Sequence, residues 1–289
     1  MCFGRRSTVL RADEHVMNDW LKRLRSGCVA ACVAATLTPS VVAAQTAAPS
    51  SRSAGQVVDL TSESGARQRV LYVAAAHPTA TLVMLPGGAG DLGLTSDGQF
   101  EHGDNFLVRT RGLWVAQGFA VVIPDAVDGD NLRGLRSTSA YAEVIRQLVD
   151  FARARSDAPI ILVGTSQGSI AAMNGAAHLR GGEIAGVVLS ESVSRLGGSH
   201  ETVFEAHPER VDVPTLVVAN IDDRCNVAPP SDAPKIVAAL TGSRRVKLLT
   251  VSGGDQRSRR DCGSLTPHGY YGIEPRVVGA ISQWIRTLR

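Results

Sequence analysis

The sequence predicts an α/β fold, a doubly wound and mostly parallel sheet with helices on both faces. Three observations predict it. Short β-rich runs recur along the chain, helical segments stand between them, and most of the later runs are continuous β-branched apolar stretches. Unbroken runs of that kind suit strands covered on both faces, where no side of the sheet meets water. The repetition of strand, helix and strand in turn implies right-handed crossovers. At 289 residues and 44% hydrophobic composition, the chain is too apolar for disorder and large enough to bury a single core. It reads as one domain, residues 57–289, without internal repeats.

In chain order the β-rich runs are VVDL at 57–60, RVLYVAA at 69–75, TLVML at 81–85 and FAVVI at 119–123. They continue with IILVG at 160–164, IAGVVLS at 184–190, TLVVAN at 215–220 and VKLLTV at 246–251. Helices are expected at 105–117, 139–155, 169–180, 233–241 and 274–288. The second of these has the clearest pattern: Tyr141, Val144, Ile145, Leu148, Val149 and Phe151 make an apolar face, and Ser139 is placed to cap it.

The sequence before the domain reads as an address. From Met17, a second possible translation start, Lys22, Arg23 and Arg25 precede an apolar stretch from Gly27 to Leu37 and a run of small residues. That is the order of a secretory signal peptide, with cleavage expected after Ala44. The apolar stretch has 11 residues, about half of the roughly 20 a bilayer-spanning helix needs, so no permanent membrane anchor is expected. Residues 45–56 (QTAAPSSRSAGQ) are small and polar and read as a flexible linker. Residues 1–44 hold six Lys/Arg and three Asp/Glu, which leaves 24 of each for residues 45–289. The mature body is formally neutral, so the compositional argument for nucleic-acid binding vanishes with the leader. A periplasmic or secreted location follows.

Cysteine usage agrees with export. Cys2, Cys28 and Cys32 lie in the leader, leaving Cys225 and Cys262 in the body. Two cysteines flanking a long irregular segment suit one disulfide in an oxidising compartment, and they lack the near-neighbour pairing of a zinc site. Two buried free thiols are the alternative. A bridge would stabilise the fold by about 4 kcal/mol on the chain-entropy account.

The chemistry concentrates after IILV, where the chain runs into Gly164-Thr165-Ser166-Gln167-Gly168 and then a small-residue helix. This G-x-S-x-G between a buried strand and a helix is the context of a nucleophile elbow. A serine held in a strained turn brings neighbouring backbones close, so the positions two before and two after it must be nearly free of side chains. Gly164 and Gly168 satisfy that demand. The helix that follows would aim its N-terminal amides at negative charge on a tetrahedral intermediate. A glycine-rich turn with no catalytic role is the alternative.

From about Leu82 to Trp284 the chain resembles the α/β-hydrolase fold superfamily, and within it a group of small exported bacterial serine hydrolases and esterases. The stretches that carry the resemblance are LPGGAGDLGL, NFLVRTRGLW, GTSQGS, Asp-Asp-Arg-Cys and PHGYYGIE. It implies an α/β-hydrolase fold and acyl-ester chemistry. It also implies the order serine, acid, histidine along the chain. Of the seven histidines, only His268 follows an acid candidate at the end of a late strand, in a loop just before the last helix where the superfamily carries its base. His15 is in the leader, His77 and His102 precede the serine, and His178, His200 and His207 read as surface or capping residues.

For the acid, TLVVAN delivers Asp222 and Asp223, and two adjacent carboxylates cannot both face one imidazole. The subgroup carries its acid two residues before the cysteine, which implies Asp223, with Asp222 as runner-up. Asp125 precedes the serine and reads as structural. A Cys225–Cys262 bridge would then tie the acid loop to the histidine loop. For the oxyanion, the resemblance implies backbone amides from Gln167 and from the Pro86-Gly87-Gly88-Ala89-Gly90 turn, with Gly88 the choice and Gly87 and Ala89 close behind.

Residues 191–213 are too few for a cap domain, so a fairly open site is expected. Arg257, Arg259 and Arg260 read as a solvated basic loop. No cofactor is implied, and no close His/Asp/Glu cluster along the sequence suggests a metal. The expected partner is a small-molecule ester or related acyl compound. The alternatives are a peptidase, thioesterase or lactonase using the same three residues, or a non-catalytic binding protein on the same fold.

Overall fold

The computed structural model describes residues 55–62, 65–179 and 182–288. The expected signal peptide and residues 45–54 of the expected linker lie outside the described residues. Gln56, read from sequence as the last linker residue, instead opens the first strand and pairs with Tyr72.

The strands are β1 (Gln56–Thr61), β2 (Arg67–Val73), β3 (Ala80–Leu85), β4 (Phe119–Val127), β5 (Ile160–Thr165), β6 (Gly186–Ser190), β7 (Thr215–Asn220) and β8 (Val246–Val251). They form one eight-stranded sheet in the order β1-β2-β4-β3-β5-β6-β7-β8. Only β2 runs against its neighbours, and every pair from β4 onward across the sheet is parallel. The central strands β3, β5, β6 and β7 are buried at every position, which is why their sequences show no polar alternation.

The helices are α1 (Phe106–Arg109), α2 (Arg111–Ala116), α3 (Ser139–Arg153), α4 (Gly168–His178), α5 (Ala233–Ala239) and α6 (Glu274–Arg286). Period-two alternation along the strands sorts them onto two faces. Val83, Leu85, Leu162, Val187 and Val217 meet residues of α3, α4 and α5, while Leu82, Met84, Ile161, Val163 and Val218 meet residues of α1, α2 and α6. On α3 the predicted face is inside: Tyr141, Ile145, Leu148, Val149 and Phe151 are buried. Ile145, Leu148 and Val149 each contribute at most about 1.5–3 kcal/mol.

Two local expectations need correction. The helix expected over 105–117 is two helices broken at Thr110, which sits at φ −92°, ψ 3°. Its hydroxyl donates to the Phe106 carbonyl at 2.6 Å and accepts from Trp114 Nε1 at 3.0 Å. Such back-bonding to the preceding turn bends a helix, and here the break lets Phe106 and Trp114 both bury. The cap of α3 is Thr138 rather than Ser139. The Thr138 hydroxyl accepts from the Tyr141 amide at 3.2 Å, while Ser139 is already in the first turn.

As expected from its length, the connection from β6 to β7 holds only two short 3₁₀ turns, Val203–Ala206 and Pro208–Arg210. Among the described residues, no helix is long and apolar enough to cross a membrane.

Candidate active site

Ser166 lies at the turn from β5 into α4, with φ at +54°. For a residue with a Cβ this left-handed conformation costs about 1–3 kcal/mol and needs support from its surroundings. The support comes from the end of β6. The Ser190 carbonyl accepts the Ser166 amide at 2.9 Å and the Ser169 hydroxyl at 3.0 Å, and the Ser190 hydroxyl donates to the Gly164 carbonyl at 3.1 Å.

The two elbow glycines are required by contact. A Cβ on Gly164 would lie 2.4 Å from the Gly168 carbonyl oxygen, and one on Gly168 would lie 1.9 Å from that of Leu85. The start of α4 is therefore packed directly onto the end of β3, where the Gly87–Gly90 turn begins.

The structure brings three predicted side chains together. His268 Nε2 lies 3.0 Å from Ser166 Oγ, and His268 Nδ1 lies 2.7 Å from Asp223 Oδ2. With Asp223 as acceptor, Nδ1 carries the proton and Nε2 is left to accept from the serine hydroxyl. His268 and Asp223 are buried and Ser166 is half-buried. Such a chain of groups can draw the proton from the serine as its oxygen attacks.

The two adjacent aspartates separate cleanly. Asp223 turns inward and also accepts the Cys225 amide at 2.8 Å, whereas exposed Asp222 accepts the Gly253 amide at 2.6 Å. Asp125 is structural, as expected: its carboxylate accepts the Leu92 and Leu94 amides at 2.6 Å each and that of Ala126 at 2.8 Å.

The acid and histidine loops are held to each other twice. Cys225 and Cys262 form a disulfide. Asn220, the last residue of β7, donates through Nδ2 to the carbonyls of Gly253 at 2.8 Å and Pro267 at 3.0 Å. Thr266 completes the arrangement by accepting the His268 amide at 3.1 Å.

On the opposite side of the serine, the glycine turn passes close by. A Cβ on Gly87 would stand 2.9 Å from Ser166 Cβ and 3.4 Å from Oγ. Gly88 has φ at +67°, a conformation that favours glycine. Among the described residues, no hydrogen bond occupies the amide of Gln167 or that of Gly88, so both are free to donate elsewhere.

Sequence reasoning missed three residues here. Asn220 is one. Another is Glu191, buried at φ +44° directly after β6. Its Oε1 accepts the Asn220 amide at 2.7 Å, while among the described residues neither Oε2 nor the buried Tyr270 hydroxyl makes a well-formed hydrogen bond. Burial, reinforced by the neighbouring Asp223 carboxylate, pushes the Glu191 carboxyl well above its ordinary range, and burial likewise raises the Tyr270 phenol. A carboxyl following an apolar strand was the available signal for Glu191, the same signal that marked Asp125 and Asp222–Asp223. The third residue, Arg136, is buried beneath the glycine turn and stands between the strand expected at 119–123 and the helix expected at 139–155.

Glu191, Asp223 and His268 each offer an atom within 4.8 Å of the others. The hydrogen bond between Asp223 and His268 joins two of the three, and a metal there would have to replace it. His102 and His178 bond to backbone carbonyls, at 3.1 and 2.9 Å, away from this cluster. Arg257, Arg259 and Arg260 are exposed.

No family model matches the chain, and no curated protein does. Solved structures do. The dienelactone hydrolase of Anabaena variabilis matches with a TM-score of 0.57 over 81% of this chain and 98% of its own, at 15% identity. An esterase of Pyrococcus furiosus matches with a TM-score of 0.59 over 81% of this chain and 91% of its own, at 11% identity. Est1E from Butyrivibrio proteoclasticus, with ferulic acid bound, gives 0.57 over 80% and 98%, at 14% identity. Strand order, helices on both faces and these likenesses agree: the chain has the α/β-hydrolase fold.

Proposed function

We propose that the protein is a serine hydrolase that cleaves carboxylic esters through an acyl-enzyme intermediate. The observation that carries the reading is the continuous chain from Asp223 through His268 to Ser166, at 2.7 and 3.0 Å. Ser166 Oγ attacks the ester carbonyl carbon while His268 Nε2 takes the hydroxyl proton. The carbonyl oxygen becomes an oxyanion, which the amides of Gln167 and Gly88 receive. The tetrahedral species collapses as His268 returns the proton to the departing alkoxide, leaving the acyl group on Ser166. Water then attacks that acyl group as His268 takes its proton, and the second tetrahedral species collapses with breaking of the bond to Ser166 Oγ, to which His268 returns the proton, so that the carboxylic acid is released. Asp223 holds the imidazole in the tautomer and orientation that both halves require.

Three further features support the reading. The fold is shared with proteins described as esterases and as a dienelactone hydrolase. The serine is half-buried and, among the described residues, no cap domain covers it, which suits small acyl substrates arriving from solvent. The disulfide suits an oxidising compartment, and with the leader pattern it points to an exported protein whose mature chain begins at Gln45.

The test is fluorophosphonate labelling together with hydrolysis of p-nitrophenyl esters of short and long acyl chains, beside an amide, a thioester and a lactone. Labelling and ester turnover are expected, both lost in Ser166→Ala. Folded protein that is neither labelled nor active would make this a binding protein on a hydrolase fold. Faster turnover of the amide, thioester or lactone would reassign the acyl substrate while leaving the three residues in place.

A further inference from the structure

We infer that Arg136 is the positioning residue of the oxyanion hole, one guanidinium holding both residues whose amides would receive the oxyanion. The inference deepens the hydrolase reading and rests on it. Arg136 Nη2 donates to the Gly88 carbonyl at 3.0 Å, and Nη1 donates to Gln167 Oε1 at 3.3 Å. The glycine turn after β3 and the elbow after β5 thus share one planar, rigid fork, a geometry that a lysine ammonium cannot supply.

The fork is itself anchored at both ends of its own residue. The Arg136 amide donates to Glu201 Oε1 at 3.2 Å, and the Arg136 carbonyl accepts from Asn174 Nδ2, on α4, at 2.8 Å. Gly88, at φ +67°, has no side chain to hold its orientation, so pinning its carbonyl is what fixes ψ there. Arg136 is 1% exposed. Among the described residues no carboxylate forms an ion pair with the guanidinium, and Glu201 attracts it only from a distance. A buried cation without a paired anion is costly to keep for stability alone. Placed behind the oxyanion donors, its charge favours the state in which the carbonyl oxygen has become negative.

The test compares wild type with Arg136→Met, Arg136→Lys and Gln167→Met, the last keeping the backbone amide and removing one tether. Each variant is checked for folding by circular dichroism. It is then assayed for ester turnover, for inhibition by a short alkyl boronic acid that forms an anionic tetrahedral adduct, and for binding of the neutral carboxamide analogue. Arg136→Met is expected to lower kcat about a hundredfold with KM within about twofold, and to weaken the boronate by the same factor while sparing the carboxamide. Arg136→Lys and Gln167→Met should show the same split with smaller losses. They carry the comparison if Arg136→Met does not fold. Folded variants with wild-type kcat, or with boronate and carboxamide weakened alike, would overturn the positioning role. Wild-type protein that turns over no ester and binds no boronate would overturn the hydrolase reading itself, and this inference with it.

Discussion

Replacing Gly168 by alanine tests the way the elbow and the glycine turn are assembled. An added Cβ would sit 1.9 Å from the Leu85 carbonyl oxygen, 2.7 Å from the Leu85 carbonyl carbon and 2.8 Å from the Pro86 oxygen. All three are backbone atoms, so no rotamer change relieves the clash. Real Cβ contacts essentially never fall under 3.0 Å, so the start of α4 and the end of β3 must part by about 1 Å, a displacement that costs on the order of a hundredfold in rate when it reaches reacting groups. The displaced elements carry Ser166 on one side and Gly87–Gly88 on the other. The expected result is therefore a loss of about a hundredfold in kcat for p-nitrophenyl ester hydrolysis and an overpacking cost of about 1–3 kcal/mol in thermal unfolding. Gly175→Ala, on the same helix, is the control. Its Cβ would meet Ile145 Cγ2 at 2.5 Å and Leu162 Cδ1 at 3.0 Å, side-chain atoms remote from the elbow turn. It should lower Tm while leaving kcat near wild type. A Gly168→Ala protein with wild-type kcat, or a Gly175→Ala protein equally inactive, would refute the reasoning.

Asp223→Asn should lower kcat about ten-thousandfold by upsetting the His268 tautomer, whereas Asp222→Asn should cost far less, since Asp222 only anchors Gly253; comparable losses in ester turnover would reverse the assignment. Cys262 is exposed, so a thiol reductant should reach the bridge. Removing it by Cys225→Ala and Cys262→Ala together should cost about 4 kcal/mol in denaturant unfolding. Reduced protein that is folded should also lose kcat, and unchanged turnover would leave the bridge a structural role only. Glu191→Gln probes the buried carboxyl that faces Asp223, His268 and Tyr270. Because the folded protein raises this carboxyl above its ordinary 4.5, the native state binds more protons than the unfolded state as pH rises from there. Glu191 should thus subtract stability at up to about 1.4 kcal/mol per pH unit across that window. The variant is expected to gain stability over wild type at pH 8 and to lose that advantage near pH 4; parallel curves of stability against pH would contradict the assignment.

Much of the architecture was legible because its signals are local. A run such as TLVVAN or IILVG states in a few residues that both of its faces are covered, and the strands β5 and β7 that stand there are buried at every position; all eight strands stand at β-rich runs of the sequence. The elbow is equally local, because a strained serine requires bare neighbours at fixed offsets and Gly164 and Gly168 meet backbone at 2.4 and 1.9 Å. Local signals also misled. The apolar pattern over 105–117 contains nothing to announce that Thr110 bonds back to Phe106 and breaks the helix. At the start of α3, Thr138 and Ser139 are chemically equivalent caps, and the path of the incoming chain chose between them.

The alternation of strands and helices and the serine in its glycine frame could be read from the residues alone, whereas the histidine and the acid pair were implied by the resemblance to the α/β-hydrolase superfamily. Tertiary structure decided which aspartate turns inward, that Glu191 lies buried against Asp223, and that Arg136 reaches the turn 48 residues before it and the elbow 31 residues after it. The reason is one of range. Hydrophobic periodicity and steric demands at a turn act between residues a few positions apart, whereas the Asp223–His268 and Ser166–His268 contacts join residues separated by 45 and 102 positions. Such contacts exist only once parallel strands have brought their C-terminal ends to one edge of the sheet.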